Sequence, residues 1–246
     1  MKNKINIGTS GWQYKHWKKT FYPEDLALKD HFNYYTKIFD TVELNNSFYH
    51  LPDRDTFKKW KRESPDNFIY AVKASRYITH MKKLKDTQDA VKLFLKNFNA
   101  LAKKRGPILF QLPPGWKMNI ERLTTFIRRL PKTNRYTFEF RNSSWHVDDV
   151  FSLLTKYNCA FCIYDLAGHQ SPLRSTADFV YVRLHGPGNK YQGSYSKEAL
   201  QAWAIQCLKW VRDHKDVYVY FDNDEAGYAA LNAIELKNQI AALKSE

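Results

Sequence analysis

The chain has 246 residues, 43% hydrophobic and 16% aromatic, which is enough for a sizeable core and argues against wholesale disorder. Thirty-nine Lys and Arg against 25 Asp and Glu give a net charge of +14, which favours polyanionic partners through counterion release and places nucleic acid among the candidates. No apolar run approaches the ~20 residues of a membrane span, the opening MKNKINIGTS lacks a signal peptide's apolar stretch, and three cysteines argue against a disulfide framework; a cytoplasmic protein with no membrane partner is expected.

Eight short apolar segments with period-2 character begin near Ile5, Thr41, Phe68, Pro107, Tyr136, Ala160, Phe179 and Val217. The stretches between them carry helical periodicity. Phe32, Tyr35, Ile38 and Phe39 share one face, Asp53 to Ser64 presents Phe57 and Trp60, and Val91, Phe94, Leu95, Phe98 and Leu101 form a third stripe. Ile120 to Leu130 offers Leu123, Phe126 and Ile127, a later stripe runs from Leu200 to Val211, and the last, after Gly227, uses Leu231, Ile234 and Ile240. The spacing of roughly 31 residues is that of a βα unit, and eight units predict a single-domain TIM-type (β/α)8 barrel over residues 1–246. One unit is irregular: residues 166–178, with Gly168, Pro172 and several Ser, Thr and His, read as a loop.

In such a barrel alternate strand residues point inward, and those near the strand C-termini line the mouth where barrel enzymes keep their chemistry. Thr41, Glu43 and Asn45 alternate with Val42 and Leu44, and Thr137, Glu139 and Arg141 alternate with aromatics. Tyr181, Arg183 and His185 oppose three aliphatics; Asp165, Lys73 and Gln111 close three further strands. A purely structural barrel would use Val, Ile and Leu there. Unpaired buried charge is costly, so this ring pairs either internally or with a ligand.

Several segments resemble the signature of the DUF72 (YecE-like) family. They are Gly8-Thr9-Ser10-Gly11-Trp12 with Tyr14 and Trp17, Val42 to Tyr49, Ala71 to Arg76 with Thr79-His80, Leu109 to Pro114, Phe138 to Arg141 with Ser144-Trp145, and Val182 to Gly186. The resemblance covers nearly the whole chain and implies a TIM-type barrel, without an established activity. One departure stands out, because the family more usually has Asn in the place of Asp222.

Lys73, Arg141 and Arg183 suit a phosphate or carboxylate, since guanidinium forks bind either bidentately and Lys supplies a point charge. Glu43, Glu139, Asp165 and His185 are the candidates for acid/base duty. The structural alternative is that Glu43, Glu139 and Asp165 simply neutralise Lys73, Arg141 and Arg183. The same carboxylates and His185 are chemically able to hold a divalent metal, but no compact ligand motif exists and the interleaved cations oppose it; no cofactor is expected. Further substrate contacts are assigned to Asn45, Gln111 and Asn223, and to an aromatic rim that includes Trp12, Tyr49 and Trp145, with core packing as its alternative. Gly186-Pro187-Gly188 is a weak candidate phosphate loop. Cys159 and Cys162 are read as core, and the Lys58–Arg62, Lys82–Lys85 and Lys103–Arg105 clusters as solvated faces. The expected function is an enzyme acting on a small anionic substrate or a nucleic-acid phosphodiester. A non-catalytic nucleic-acid binder and a metabolite sensor are the alternatives.

Overall fold

The computed structural model describes residues 3–245. Eight strands alternate with helices in the α/β manner: β1 (Ile5–Thr9), β2 (Thr41–Leu44), β3 (Ile69–Lys73), β4 (Arg105–Leu112), β5 (Tyr136–Phe140), β6 (Ala160–Leu166), β8 (Phe179–Leu184) and β9 (Asp216–Phe221), with a two-residue β7 (His169–Gln170) between the sixth and seventh. Every strand expected from the sequence begins within two residues of its expected start. The helices are α1 (His31–Ile38), α2 (Asn46–Tyr49), α3 (Arg54–Glu63), α4 (Gln88–Phe98), α5 (Ile120–Arg128), α6 (Asp148–Lys156), α7 (Lys197–Arg212) and α8 (Tyr228–Ser245). Helix α6 was not expected from the sequence; Val147, at its N-cap, makes no side-chain cap.

The chain divides into two compact units. The first runs to Glu43, resumes over Ile163–Leu173 and continues from Asp178. Within it β1 pairs in parallel with β9 (Ile5 opposite Val217, Thr9 opposite Phe221), and β9 with β8 (Phe179 opposite Asp216, Leu184 opposite Phe221). A bridge joins Ser10 to Glu43. Gly8 is needed here, since a Cβ would sit 2.3 Å from the Thr41 carbonyl oxygen. The expected loop after β6 holds a hairpin instead. Ala167 (φ 53°) and Gly168 (φ 75°) form its two-residue turn, both with positive φ as the strand-matching turn requires, and β7 returns antiparallel to β6.

The second unit comprises Leu44–Cys162 and Arg174–Ala177. Its strands β3, β4 and β5 pair in parallel, and Thr137 and Phe138 continue onto Ala160 and Phe161. Between β3 and β4 the register slips: Tyr70 faces Arg105 but Val72 faces Ile108. Pro107, which has no N–H to donate, lies in that bulge, and a Cβ on the adjacent Gly106 would meet Ile69 and Tyr70 at 2.8–2.9 Å. At the start of β6 the Thr176 side chain takes the place of a strand partner, accepting from the Phe161 amide at 2.8 Å and donating to the Cys159 carbonyl at 2.7 Å. The α4 stripe, Val91, Phe94, Leu95 and Phe98, is buried as expected.

One basic cluster departs from a solvated face. Lys58, Lys59 and Lys103 do form surface ion pairs with Asp55, Glu63 and Asp66. Lys104, however, is buried, and its ammonium donates to the Lys61 carbonyl, the Ser64 carbonyl and Ser64 Oγ at 2.6–3.0 Å. A cation held on the last carbonyls of α3 complements the negative end of that helix.

Candidate functional site

The first unit gathers its charges where β1, β2, β8 and β9 end. Alternation along β8 puts Tyr181, Arg183 and, just past the strand, His185 on one face. Arg183 Nε lies 2.9 Å from Glu43 Oε2 and its Nη2 2.7 Å from Oε1, a side-on bidentate pair with both side chains sealed from solvent. Glu43 also accepts from Ser10 Oγ at 2.6 Å and from the Tyr181 hydroxyl at 2.7 Å. Arg183 Nη2 reaches on to Asp222 Oδ2 at 3.2 Å. His185 stands between the same partners, with Nδ1 3.0 Å from Asp222 Oδ2 and Nε2 3.4 Å from Arg183 Nη1. A guanidinium can only donate, so Nε2 is the acceptor and Nδ1–H points at Asp222. Glu43, Arg183 and His185, assigned to catalysis or binding on the sequence, are thus joined with Asp222 in one network, in which the Glu43–Arg183 pair is of the carboxylate–cation kind that the structural alternative named.

Two carboxyls, one just beyond β9 and one near the end of β6, are more accessible. Asp224 accepts from the Trp17 indole and lies 3.1 Å from His16 Nε2. Burial pushes its carboxyl up to about 6, against the opposing effect of Trp17 and His16. Asp165 is half-buried, its carboxyl raised by burial although Tyr195 hydrogen-bonds to it, and its Oδ1 is buried without a partner. Asp222, Asp224, His16, Ser10 and Tyr181 were not singled out as site residues on the sequence. His16 and Asp224 lie outside strand periodicity, and which partners meet across 138 or more positions is invisible in one sequence.

The expected phosphate loop is not available. The Gly186 amide donates to the Tyr195 hydroxyl at 3.0 Å and the Gly188 amide faces the Gln192 carbonyl at 3.4 Å. Asn223 is buried and braces the same loop, its amide donating to the Gly193 carbonyl at 2.9 Å and to Asn232 Oδ1 at 2.8 Å. Trp12 is buried against Phe32, with ring centroids 4.8 Å apart.

The second unit holds a mostly basic cluster after β3 and β5. Glu139 is sealed and pairs with Arg141 Nε, while Cys162 Sγ lies 3.8 Å from its other oxygen. Gln111 on β4 stands in register beside Glu139. Half-buried Lys73 ends β3, with its ammonium 4.3 Å over the Phe48 ring. Asn45 precedes the one-turn α2, which carries Ser47, Phe48 and Tyr49; Ser47 Oγ donates to the Lys73 carbonyl at 2.6 Å. Next to Lys73 comes a π-helical turn, Tyr77–Met81, containing His80. Its ring packs edge-on to Phe48 at 5.0 Å, and Nδ1 lies 2.9 Å from Thr79 Oγ1. Burial first, then the charges of Lys73 and Arg76, push the imidazole down to about 4, with Glu139 opposing. His80 was noted on the sequence only as part of the family signature.

Of the expected aromatic rim, Tyr49 is exposed, at 66%. Trp145 is completely buried, stacked on Phe140 at 4.8 Å with its indole donating to the Trp116 carbonyl at 2.8 Å, so it packs the interior and offers a ligand no face. Among the described residues no group of three or more His, Cys, Asp or Glu is arranged to hold a metal ion, and no helix is long and apolar enough to cross a membrane. Cys159, Cys162 and Cys207 are buried thiols, and burial pushes Cys159 and Cys207 up to about 12, away from thiolate chemistry.

The model of the family described as "Protein of unknown function DUF72" matches residues 6–246. The chain belongs to the DUF72 family. This DUF72 protein is 26% identical to the UPF0759 protein YunF of Bacillus subtilis, over 94% of this chain and 93% of YunF. It is 27% identical to the UPF0759 protein YecE of Escherichia coli (strain K12), over 56% of this chain and 48% of YecE. A crystal structure of a DUF72 family protein from Thermotoga maritima superposes with a TM-score of 0.86 at 28% identity, covering 99% of this chain and 100% of that one. One from Enterococcus faecalis does so at 0.82 and 18% identity, over 96% and 95%. The fold is therefore an α/β barrel of eight parallel strands with surrounding helices, as the segment spacing predicted.

Proposed function

We propose that this DUF72 protein is an enzyme acting on an anionic substrate, one that bears a phosphate or a carboxylate, by acid/base chemistry at the Lys73–His80 cluster. The observation that carries the proposal is that Lys73 and His80 meet at the Phe48 ring, the ammonium 4.3 Å over it and the imidazole edge-on at 5.0 Å, where burial, Lys73 and Arg76 push the imidazole pKa down. A half-buried set of groups with that balance is short of negative charge. A phosphate or carboxylate beside Lys73 would supply it, with the ammonium as a point charge.

The same anion would offset the two cations and return His80 toward its ordinary pKa of ~6.5, where an imidazole best exchanges protons at neutral pH. Thr79 Oγ1 lies 3.3 Å from the Ser75 carbonyl, to which it donates; His80 Nδ1–H then donates to Thr79, and Nε2 carries the lone pair that acts as base. Glu139 is occupied by Arg141 and serves to hold that guanidinium in place.

A second reading, in which the anion is a nucleic-acid phosphodiester, draws on the +14 charge and on the exposed rings of Tyr49 and Tyr77, which offer bases a surface to stack on. The test is turnover of phosphate monoesters, phosphodiesters including single-stranded DNA, and carboxylate-bearing esters by the wild type, Lys73→Met and His80→Asn. Turnover of one class that falls roughly 10²-fold or more in His80→Asn, with KM raised in Lys73→Met, is expected. Turnover that neither substitution alters would contradict the proposal.

A further inference from the structure

We propose that a groove between α4 and α5, in the second unit, binds a small amphiphilic organic anion, an acyl or aryl body ending in an acidic group. The cavity has a volume of about 420 Å³, inside the ~300–1,000 Å³ span of small-molecule sites. It shares no lining residue with the Lys73–His80 cluster, and the inference stands independently of the function proposed there.

The floor is apolar: Leu84, Val91, Leu95, Phe126 and Leu130 line it. Each keeps 5–9% of its surface exposed, whereas Phe98, Leu101 and Leu123 on the same helices and the turn that follows α4 keep none. These side chains belong to the core but leave one apolar strip uncovered, and burying it is the driving force available to a ligand.

The rim is cationic. Lys92, Lys96 and Arg129 line the cavity, all exposed, and no Asp or Glu does. Among the described residues, no carboxylate forms an ion pair with any of the three. Lys92 and Lys96 stand four apart on α4, a like-charge spacing that works against the helix. An acidic head group between them turns that repulsion into attraction, while its apolar body covers the floor. Charge and shape thus ask for the same molecule.

The turn that shapes one end of the groove is strained. Lys83 (φ 47°), Leu84 (φ 65°) and Asp86 (φ 50°) all occupy the left-handed region, which L side chains rarely adopt. The Leu84 amide is pinned to the Ile78 carbonyl at 2.9 Å, and the turn delivers the Leu84 side chain to the floor. Backbone held in such a conformation is a recurring property of ligand sites.

Titration with decanoate, followed by melting temperature and calorimetry, tests the proposal, with decyltrimethylammonium as the probe of opposite charge and inorganic phosphate as competitor. Decanoate is expected to raise the melting temperature and decyltrimethylammonium to leave it unchanged. The decanoate Kd is expected to rise at least tenfold in Lys92→Glu/Lys96→Glu and again in Arg129→Glu, but not in the α3 control Lys58→Glu/Lys59→Glu. All these lysines and Arg129 are exposed, so the variants keep the fold. Failure of decanoate to bind, a decanoate Kd in both charge-reversed variants equal to that of the wild type, or displacement of decanoate by phosphate would each overturn the proposal. Displacement would move the ligand to a phosphate-type site elsewhere.

Discussion

Arg183 lies side-on to Glu43, with two of its nitrogens 2.7 and 2.9 Å from the two carboxylate oxygens and both side chains out of contact with water. Removing either partner leaves a desolvated charge unanswered. Arg183→Met and Glu43→Gln are each expected to destabilise the protein by about 3–5 kcal/mol in urea unfolding, and the Glu43→Gln/Arg183→Met double variant by clearly less than the sum. Additive losses would show that the pair is not coupled.

Lys104 predicts a smaller loss of a different kind. Its ammonium answers the Lys61 and Ser64 carbonyls and Ser64 Oγ, so Lys104→Met strands buried acceptors at the end of α3 and is expected to cost about 1–3 kcal/mol. Hydrogen exchange should quicken first in the last turn of α3; protection unchanged there would show that the clamp is dispensable.

Asp224 gives a pH signature. Its carboxyl keeps a proton up to about pH 6 in the folded chain and only to near 3.8 when unfolded. Between those values the native state binds more protons, so this group's contribution to stability is lost as pH rises from about 4 to 6. Asp224→Asn is therefore expected to compare more favourably with wild type at pH 7 than at pH 4, by about 1–2 kcal/mol in urea midpoints measured at both. The same difference at both pH values would place the carboxyl's pKa at its ordinary position.

His80 has the opposite sign. Its folded pKa of about 4 lies below the ordinary 6.5, so between these values the unfolded chain takes up a proton that the native chain refuses. Stability is lost as pH falls from about 6.5 to 4, and His80→Asn should flatten that part of the profile. Lys73→Met should raise the His80 pKa, because it removes one of the two cations that depress it.

Much of this fold was legible in the order of the residues alone. Strand starts were set by alternation such as Val180 to His185, where every second residue is aliphatic, and helices by stripes such as Val91 to Leu101. The site was legible only in part. The polar positions Glu43, Glu139 and Arg183 stood out from their apolar neighbours, but their partners did not: Glu43 meets Tyr181 and Arg183 from about 140 residues away. His80 carries no periodic signal, because it sits in a π-helical turn, where its ring packs against Phe48 from a segment about 30 residues earlier. Trp145 misled for the converse reason, since an aromatic just after a strand looks alike whether it faces a ligand or stacks on Phe140.

The most direct test of the proposed anion site is an NMR titration of the His80 imidazole from pH 3 to 8, with and without inorganic phosphate. A pKa of about 4 is expected in its absence, with a rise toward ~6.5 when phosphate saturates the site, a rise that Lys73→Met diminishes. A His80 pKa that phosphate leaves unmoved would show that this cluster does not receive an anion.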